Sequence, residues 1–511
     1  MKTDVMIIGA GPTGLALACQ LIRHKVDFVI VDKNETTTPH SKAIGIQART
    51  LEIYEQIGIA DELVDRGTIA TKARMIEGGK VRGEVSFGEF GKGMSPYPYL
   101  LFVEQGTHEQ ILDEFIKSNN TSIRWRTELE SFSQDDAGVI ANFKTADGRT
   151  ETIEAKFLVG CDGPSSLVRH TLGLSFKGGT SERLFYVADV EIDWGFSHDA
   201  LHVCLAQSSV TAFFPMRGGD TNYRIVGVFP EGHEADETEI VYDEVERQIV
   251  EDTELDLDIT RVNWFSVYKV HSRRVNRFSK GRCILAGDSA HIHTPAGAQG
   301  MNTGIQDGYN LAWKLAMVLN GSTDLKILDT YNDERLANAE RLLETTDRLF
   351  NLAASPNVFI AFLRTRVLPY VANFALSLDR VQRYLFPLVS QIGINYRSSS
   401  LSVDDASFSI RAGDRMPYFL IDGKSIYDGL QNPNFHLLIF SDGSSRVPDP
   451  LNIDDTTDVR VLPLHANIAG IFGTTRSFTV LVRPDNYIGY ISSGVSVDGV
   501  KVYLNQIKPA A

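Results

Sequence analysis

The chain has 511 residues, is 43% apolar and 23% charged, and carries a formal net charge of −15 at pH 7. One hydrophobic core rarely serves a chain of this length, so two or three domains are expected. The acidic balance argues against nucleic acid as a partner, because binding a phosphate backbone requires a basic face.

The sequence shows neither a targeting segment nor a membrane span. The N-terminal MKTDVMIIGAG has too short an apolar run for a signal peptide, and no window is apolar for the length of a spanning helix. The apolar segment 358–378 contains Arg364, Arg366 and Pro369, which favours a packed helix pair over attachment to a membrane surface. The cysteines, which form no CxxC pair, are Cys19, Cys161, Cys204 and Cys283. A reducing, cytoplasmic location is therefore expected.

The first forty residues have the pattern of a dinucleotide-binding unit. An apolar strand at 5–8 leads into GAGPTG, a helical stretch LALACQLIRHK follows, and a second apolar strand ends at Asp32. In such a unit the first glycine permits a tight turn, the second lets a pyrophosphate approach the backbone, and the third allows the helix to pack closely on the strand. The helix N-terminus attracts the phosphates, and the acid accepts a hydrogen bond from a ribose hydroxyl. The candidate contacts in this unit are Gly9, Gly11, Pro12, Thr13, Gly14, Asp32 and Lys33. No second copy occurs, since FGKGMSP and MRGGDTN lack the helix and the acid.

Two later segments each begin with a short apolar strand. In AKFLVGCDGPSSLVRHTLG the strand runs into Asp162 and Gly163. In GRCILAGDSAHIHTPAGAQGMNTGIQDGYNLAWKLA the strand ends at Gly287 and Asp288, and a glycine-rich loop then leads into a helix with one apolar face.

In this order and spacing, the three motifs resemble those of the class A flavoprotein monooxygenases, the single-component aromatic hydroxylases that include para-hydroxybenzoate hydroxylase and phenol hydroxylase. The resemblance extends from Met1 to about Asn351 and implies a tightly but non-covalently bound FAD. It places the GAGPTG turn on the ADP half of FAD and Asp162 near both FAD and a transient NADPH or NADH. It also places Gly287 and Asp288 on the ribityl chain.

The same resemblance implies contacts around the isoalloxazine ring. The loop from Pro295 to Gly300 would wrap the ring edge, and the helix that begins near Met301 and Asn302 would direct its N–H groups at the pyrimidine end. A helix N-terminus stabilises the negative charge that reduced flavin carries there. Three further cofactor contacts are implied, at Lys42, where most relatives have arginine, and at Arg49 and Gln105; for Arg49 a surface salt bridge is the alternative.

The rest of the chain completes an α/β architecture. We expect a Rossmann-like FAD-binding domain with a helical extension at 1–175 and 277–395, and an inserted antiparallel-sheet substrate domain at 176–276. Residues 399–511 resemble the thioredoxin-like C-terminal domain of phenol hydroxylase, but without CxxC they cannot carry out thiol redox chemistry. Candidate walls of the substrate pocket, for each of which core packing is the alternative, are Phe213, Phe214, Met216, Tyr223, Trp264, Tyr268 and Pro295.

The resemblance implies that NAD(P)H reduces FAD and that dioxygen forms a flavin C4a-hydroperoxide. This species transfers one oxygen atom to an aromatic substrate and releases the other as water. The sequence singles out no catalytic base. It predicts no metal site at His291 and His293, because no carboxylate or cysteine is spaced to complete one.

Several alternatives share the same motifs. These are an antibiotic-inactivating oxygenase for a bulky polyphenol, a Baeyer–Villiger oxygenase, a membrane-docked quinone hydroxylase, and a non-catalytic flavin-binding protein. A flavin halogenase is excluded, because its WxWxIP segment cannot be formed from tryptophans at 125, 194, 264 and 313. The choice of nicotinamide and the oligomeric state, including a homodimer, stay open.

Overall fold

The computed structural model describes residues 1–39, 43–87, 91–206, 209–230, 239–294, 297–353, 379–404, 408–444, 446–448, 451, 453–454 and 456–508. Lys42, Pro295 and the apolar segment 358–378, on which the sequence analysis made predictions, lie outside these ranges.

The described elements alternate between strands and helices along the chain. The strands are β1 Lys2–Ile8, β2 Phe28–Val31, β3 Gly45–Ile46, β4 Thr68–Ala70, β5 Lys72–Glu77, β6 Lys80–Ser86, β7 Leu100–Phe102, β8 Glu128–Gln134, β9 Val139–Lys144, β10 Thr150–Gly160, β11 Phe176–Trp194, β12 Ala200–Leu205, β13 Val210–Pro215, β14 Asn222–Val228, β15 Leu257–Val275, β16 Ser279–Lys280, β17 Cys283–Leu285, β18 His291–Ile292, β19 Val403–Asp404, β20 Leu420–Ile421, β21 Lys424–Ser425, β22 Phe435–Ser441, β23 Thr457–Pro463, β24 Phe478–Val482 and β25 Ile488–Ser493. The α-helices are α1 Pro12–Arg23, α2 Ala48–Glu55, α3 Ala60–Asp65, α4 Gln105–Ser118, α5 Leu167–Thr171, α6 Tyr242–Thr253, α7 Gly300–Leu319, α8 Ile327–Ala353, α9 Asp379–Val389, α10 Ala466–Phe472 and α11 Val497–Ile507. Short 3₁₀ helices occur at Gly287–Ser289 and Ile426–Gly429.

A mixed sheet with a parallel centre of β17, β10, β1 and β2 brings the three sequence motifs together. Its strand order is β16–β17–β10–β1–β2, and the β8–β9 hairpin pairs with β10. In the register, Ile8 lies opposite Gly160, and Gly160 lies opposite Leu285. Because β1, β10 and β17 are parallel, their carboxyl ends meet at one edge, where ligands of open α/β sheets bind. The motifs that follow these strands therefore converge, although nearly three hundred residues separate the first from the last.

A second, mostly antiparallel sheet has the order β18–β15–β11–β14–β13–β12–β5–β6. Its long strands β11 and β15 pair from Phe176 opposite Val275 to Trp194 opposite Leu257. The sequence analysis assigned this sheet to residues 176–276 alone. The structure adds the β5–β6 hairpin, because β12 leaves its outer edge open and β5 pairs with it in parallel.

The two faces of this sheet have different surroundings. Tyr186 and Ala188 of β11 pack in a buried apolar cluster with Val245 and Ile249 of α6. The alternate residues point to the other face, because successive side chains of a strand alternate. On that face Phe214 contacts Phe102, with ring centroids 5.3 Å apart, which directs the face toward the first domain.

The C-terminal residues form a further sheet with the order β19–β25–β24–β22–β23. Strands β22 and β23 are parallel, whereas β24 and β25 continue the sheet in antiparallel fashion. Small pairings of β3–β7–β4 and β20–β21 complete the described strands. None of the described helices is long and apolar enough to cross a membrane.

Buried ion pairs join the C-terminal sheet to α7 and α8. Arg483 contacts Glu334 at 2.7 Å and Asp485 at 2.6 Å, and Lys314 contacts the same Glu334 at 2.8 Å. All four side chains are almost completely buried. Burial alone would raise the pKa of the Glu334 carboxyl, but Arg483 and Lys314 outweigh it and the pKa is lowered. The carboxylate is therefore ionised in the interior.

Candidate functional site

The glycines of the first motif have two different surroundings. A Cβ atom at Gly9 would overlap the Cys161 carbonyl, and one at Gly14 would overlap the Gly9 carbonyl. The close approach of neighbouring backbone therefore requires glycine at both positions. A Cβ at Gly11 would meet no described atom within 4 Å. The open space in front of Gly11 is the place where a pyrophosphate can approach the backbone.

The start of α1 is built to receive phosphate. Gly11 is the N-cap and Pro12 the first helical residue, where its missing N–H costs no hydrogen bond. Asp32 accepts from the N–H of Ala10 at 2.7 Å and of Asn34 at 2.8 Å, so its carboxylate lies against the glycine turn. The side chain of Lys33 is exposed.

The second motif holds a partly unsatisfied carboxylate. Oδ2 of Asp162 accepts from the N–H of Val168 at 3.1 Å, while buried Oδ1 has no hydrogen-bond partner within the described ranges. Burial raises the pKa of Asp162. Arg169 donates to the carbonyl oxygens of Pro164 at 2.7 Å and Ser289 at 3.0 Å, and thereby ties this motif to the third.

The third motif turns sharply beside the first. Gly287 has a φ of +63°, and a Cβ there would overlap the Thr13 side chain. Asp288 is exposed to solvent, yet the surrounding protein raises the pKa of its carboxyl, mainly by burial. Asp288 lies just beyond the carboxyl end of β17, beside the ends of β1 and β10. We call the region outside these strand ends the cleft, since open α/β sheets bind ligands in a crevice there.

Helix α7 begins at the end of this cleft. Like every α-helix, it leaves the N–H groups of its first residues, here Gly300, Met301 and Asn302, without partners inside the helix. The Asn302 side chain does not face the cleft. It accepts from the Gln47 N–H at 3.0 Å and from Thr50 Oγ1 at 2.8 Å. Only its backbone N–H is therefore available for a ligand.

The two histidines of the loop are held by hydrogen bonds. Nε2 of His291 lies 2.7 Å from Oδ2 of Asp307. Nδ1 of His293 lies 2.7 Å from the carbonyl oxygen of Thr294, which can only accept, so Nδ1 carries the proton. Burial lowers the pKa of His293 to about 4, which keeps the ring neutral. Within the described ranges, no group of three or more histidine, cysteine and acidic side chains is arranged to bind a metal.

Arg49, for which the sequence implied a cofactor contact, faces the C-terminal domain instead. Its guanidinium donates to Glu52 at 3.2 Å and to the carbonyl oxygen of Asp485 at 3.0 Å, and it lies over the Tyr309 and Tyr487 rings. An arginine on a helix can bind a phosphate of the cofactor or a carboxylate of the protein. The sequence does not show which side of α2 Arg49 occupies, so it does not distinguish these two partners. Gln105 lies half-buried at the start of α4 and donates to Glu109 at 2.8 Å.

The predicted substrate walls divide between the two faces of the second sheet. Phe213 and Tyr223 are fully buried in the cluster under α6, so their assignment to the pocket is corrected to core packing. The reason is strand alternation, which places adjacent residues such as 213 and 214 on opposite faces. The remaining described candidates are on the face toward the first domain: Phe214, Met216, Trp264 and Tyr268. Burial raises the pKa of Tyr268 to about 12, so its hydroxyl stays protonated at neutral pH.

Cavities adjoin both ends of this inner face. One of about 280 Å³ is lined by Glu104, Met216, Arg224 and Trp264. Another of about 660 Å³ lies between β11, β15 and α8 and reaches Thr294 of the third motif. Volumes of this size are typical of sites for small organic ligands.

The sequence analysis missed a buried ion pair beside the smaller cavity. Arg224 donates to both oxygens of Asp189, at 2.6 and 2.7 Å, and to the carbonyl oxygen of Ala43 at 3.0 Å. A charged residue at an inward position of an apolar strand, as in VADVEI, is the signal that could have identified it.

These residues fit a bound FAD. The space before Gly11 can accept the pyrophosphate, and Asp32 lies at the turn where a ribose is expected. Buried Asp162 Oδ1 lacks a hydrogen-bond partner in the described parts of the chain, and Asp162 lies beside Gly9 of the glycine turn. Buried polar atoms normally have partners, so this unsatisfied oxygen beside the turn is consistent with a polar ligand.

Comparisons with known proteins support the same assignment. A family model described as an FAD binding domain matches residues 2–346. A flavin-dependent monooxygenase of Mycobacteroides abscessus is 33% identical over 502 residues, which cover 96% of this chain and 97% of the relative. The 6-methylpretetramide 4-monooxygenase of Streptomyces rimosus is 30% identical, with coverage of 95% and 90%. CabE, an aromatic hydroxylase from angucycline biosynthesis, has a structure that superposes over 100% of both chains with a TM-score of 0.77 and 28% identity.

Proposed function

The chain belongs to the FAD-binding-domain family of flavin-dependent monooxygenases, and we propose that it uses NADPH or NADH and dioxygen to hydroxylate a polycyclic phenolic substrate. The observation that carries this proposal is the convergence of the three motifs at the carboxyl ends of β1, β10 and β17. These motifs offer the cradle at Gly11 and the start of α7. The inner face of the second sheet, which is directed toward the first domain, offers Phe214, Trp264 and Tyr268.

The protein's own contribution is binding, orientation and exclusion of water. Bound FAD, once reduced, supplies the oxygen-activating chemistry. Asp288 would accept hydrogen bonds from the ribityl hydroxyls, and the first N–H groups of α7 would stabilise negative charge at the pyrimidine edge of the ring. Gln105 and, outside the described residues, Lys42 and Pro295 complete the set of proposed contacts. The inner face of the sheet covers the site and keeps water from the reacting atoms.

The larger cavity favours a substrate with several fused rings. Its volume of about 660 Å³ is well above the size of a single phenol. It lies farther along β11 and β15 than the smaller cavity, which Met216 and Trp264 line, so it adds room beside that end of the inner face. In its wall Thr180 and Arg274 already have partners in His271 and Glu340. The similarity to the 6-methylpretetramide monooxygenase points to the same substrate class.

We also propose the domain division 1–175 with 277–395, 176–276 and 399–511, in which the β5–β6 hairpin of the first range joins the sheet of the second. The third domain is proposed to be thioredoxin-like, and the parallel pair β22–β23, followed by antiparallel β24 and β25, supports that assignment. With no CxxC for thiol redox chemistry, we propose for this domain a structural role or a contact between subunits.

The first experiment measures reduction of FAD-loaded protein by NADPH and by NADH without oxygen. A panel of simple phenols, naphthoquinols and polyketide polyphenols is added in turn. We expect a polycyclic phenol to accelerate flavin reduction by orders of magnitude and, when labelled oxygen is admitted, to gain one labelled atom on a ring carbon. Insertion next to a carbonyl would indicate a Baeyer–Villiger reaction instead. Tight FAD binding with no reduction by either nicotinamide would identify a non-catalytic flavoprotein.

The two faces of the second sheet should respond differently to the loss of an aromatic ring. Trp264→Leu, on the inner face, should raise KM for the polycyclic substrate about tenfold or more, because a large apolar contact is lost. Phe213→Leu, in the core under α6, should leave KM unchanged and lower the free energy of unfolding by about 1–2 kcal/mol. Steady-state kinetics and urea unfolding of both variants distinguish the two roles. Equal effects of both variants on KM would contradict the assignment of the faces.

A further inference from the structure

One fully buried carboxylate, Asp307 of α7, connects three separate segments. Its Oδ2 accepts from the Gly287 N–H at 2.9 Å and lies 2.7 Å from Nε2 of His291. Its Oδ1 accepts from Nε of Arg335 on α8 at 2.6 Å. The residue is 0% exposed.

The bond to Gly287 controls a residue that does face the cleft. Gly287 has the left-handed φ of +63° and packs against Thr13 at the start of α1. Asp288 follows it directly, so the orientation of the Gly287 peptide decides where the Asp288 carboxylate projects. Asp307 lies within α7, so its hydrogen bond fixes the position of the Gly287 turn relative to this helix.

The charge of Asp307 is matched to its partners. Burial acts to raise the pKa of the carboxyl, but Arg335 and His291 outweigh it and the pKa is lowered. An ionised carboxylate only accepts hydrogen bonds, and its neighbours here are donors. The amide of an asparagine at this position would direct its N–H₂ group at one or more of these donors. At least one hydrogen bond would be lost, and the turn at Gly287 would be held less firmly.

We propose that Asp307 is a positioning residue for the cofactor: acting through Gly287, it sets the place at which Asp288 meets the ribityl chain. The inference rests on the FAD site of the proposed function. Asp307 is buried and does not touch FAD itself. Its effect on FAD affinity passes entirely through Asp288.

The test is a double-mutant cycle on FAD affinity, measured by flavin fluorescence with cofactor-free protein. Asp288→Asn should weaken binding about 10–100-fold, the usual effect of losing a hydrogen bond to a charged group. Asp307→Asn should weaken it by a similar factor. The double variant should bind about as well as Asp288→Asn alone, because coupled residues are not additive. The visible circular dichroism of bound flavin should change in each variant.

A second cycle replaces Asp307→Asn by His291→Leu, which removes one donor but leaves the Arg335 pair intact. It keeps the test usable if Asp307→Asn does not fold. Losses that multiply in both cycles would overturn this inference alone, since they would show that the Asp307 cluster acts independently of Asp288. Failure of the wild-type protein to bind FAD would overturn the proposed function as well.

Discussion

Gly11→Ala should weaken FAD binding strongly and leave the cofactor-free fold intact. Gly11 has φ −75° and ψ −178°, values that alanine adopts without strain, and the added Cβ would meet no described atom within 4 Å. The methyl group would instead occupy the space that the pyrophosphate needs. We expect FAD affinity to fall by about a hundredfold or more, since the phosphate could no longer reach the helix N-terminus. The free energy of unfolding should fall by less than about 1 kcal/mol, the scale of an N-cap change.

Gly14→Ala is the matched control for this variant. The same methyl group at Gly14 would overlap the Gly9 carbonyl, so protein packing rather than ligand binding requires this glycine. Thermal unfolding of the cofactor-free proteins should show a large loss of stability for Gly14→Ala and almost none for Gly11→Ala. Titration with FAD then separates the two roles. Normal FAD affinity in Gly11→Ala would rule out this position for the pyrophosphate.

Arg483→Met should be the most destabilising substitution in the C-terminal domain. It removes the cation that lies 2.7 Å from Glu334 and 2.6 Å from Asp485, and both carboxylates are buried. Leaving a buried charge without its partner costs about 3–5 kcal/mol. Lys314 remains on Glu334, so the unpaired charge is chiefly that of Asp485, which also accepts from the Trp313 indole at 3.1 Å. Urea unfolding followed by tryptophan fluorescence measures the loss.

Arg23→Met is a control at the same interface. Arg23 donates to the carbonyl oxygens of Gln431 and Asn432. Its charge also acts on Asp485, but Asp485 keeps its ion pair with Arg483 when Arg23 is removed, so no carboxylate loses its only partner. Loss of such hydrogen bonds costs about 1 kcal/mol each or less when water can replace them. A similar effect of both substitutions would mean that the buried ion pairs do not hold the domains together.

Local patterns were sufficient to predict the fold of the N-terminal unit and the joining of the three motif strands. The strand, glycine turn, helix and acid at the N-terminus lie within about thirty residues, so each part constrains the next. The later motifs each begin with an apolar strand, and these strands do join the parallel sheet with β1. The inserted sheet was also predicted, because its strands and α6 have clear apolar periodicity.

The direction of single side chains was harder to predict. Arg49 was expected at the cofactor, but its partner Asp485 is more than four hundred residues away in sequence. The backbone N–H of Asn302 stays a proposed cofactor contact, while its side chain accepts from Gln47, more than two hundred and fifty residues away. Asp307 gave no signal for the same reason, since Arg335 and Gly287 become its neighbours only in the folded chain. Phe213 and Phe214 are adjacent on β13 and therefore point to opposite faces of the sheet. Because both are aromatic, the sequence does not show which of them points to which face.

The alternation of the second sheet gives residues that are neighbours in sequence two different surroundings. On the proposed function, side chains of the inner face contact the substrate, while their immediate neighbours in sequence pack beneath α6. Exchanges of one apolar side chain for another at Phe214, Met216, Trp264 and Tyr268 should then change the substrate that is accepted and leave the cluster under α6 unaltered. A combinatorial library confined to apolar residues at those four positions should therefore consist mainly of folded, flavin-loaded proteins.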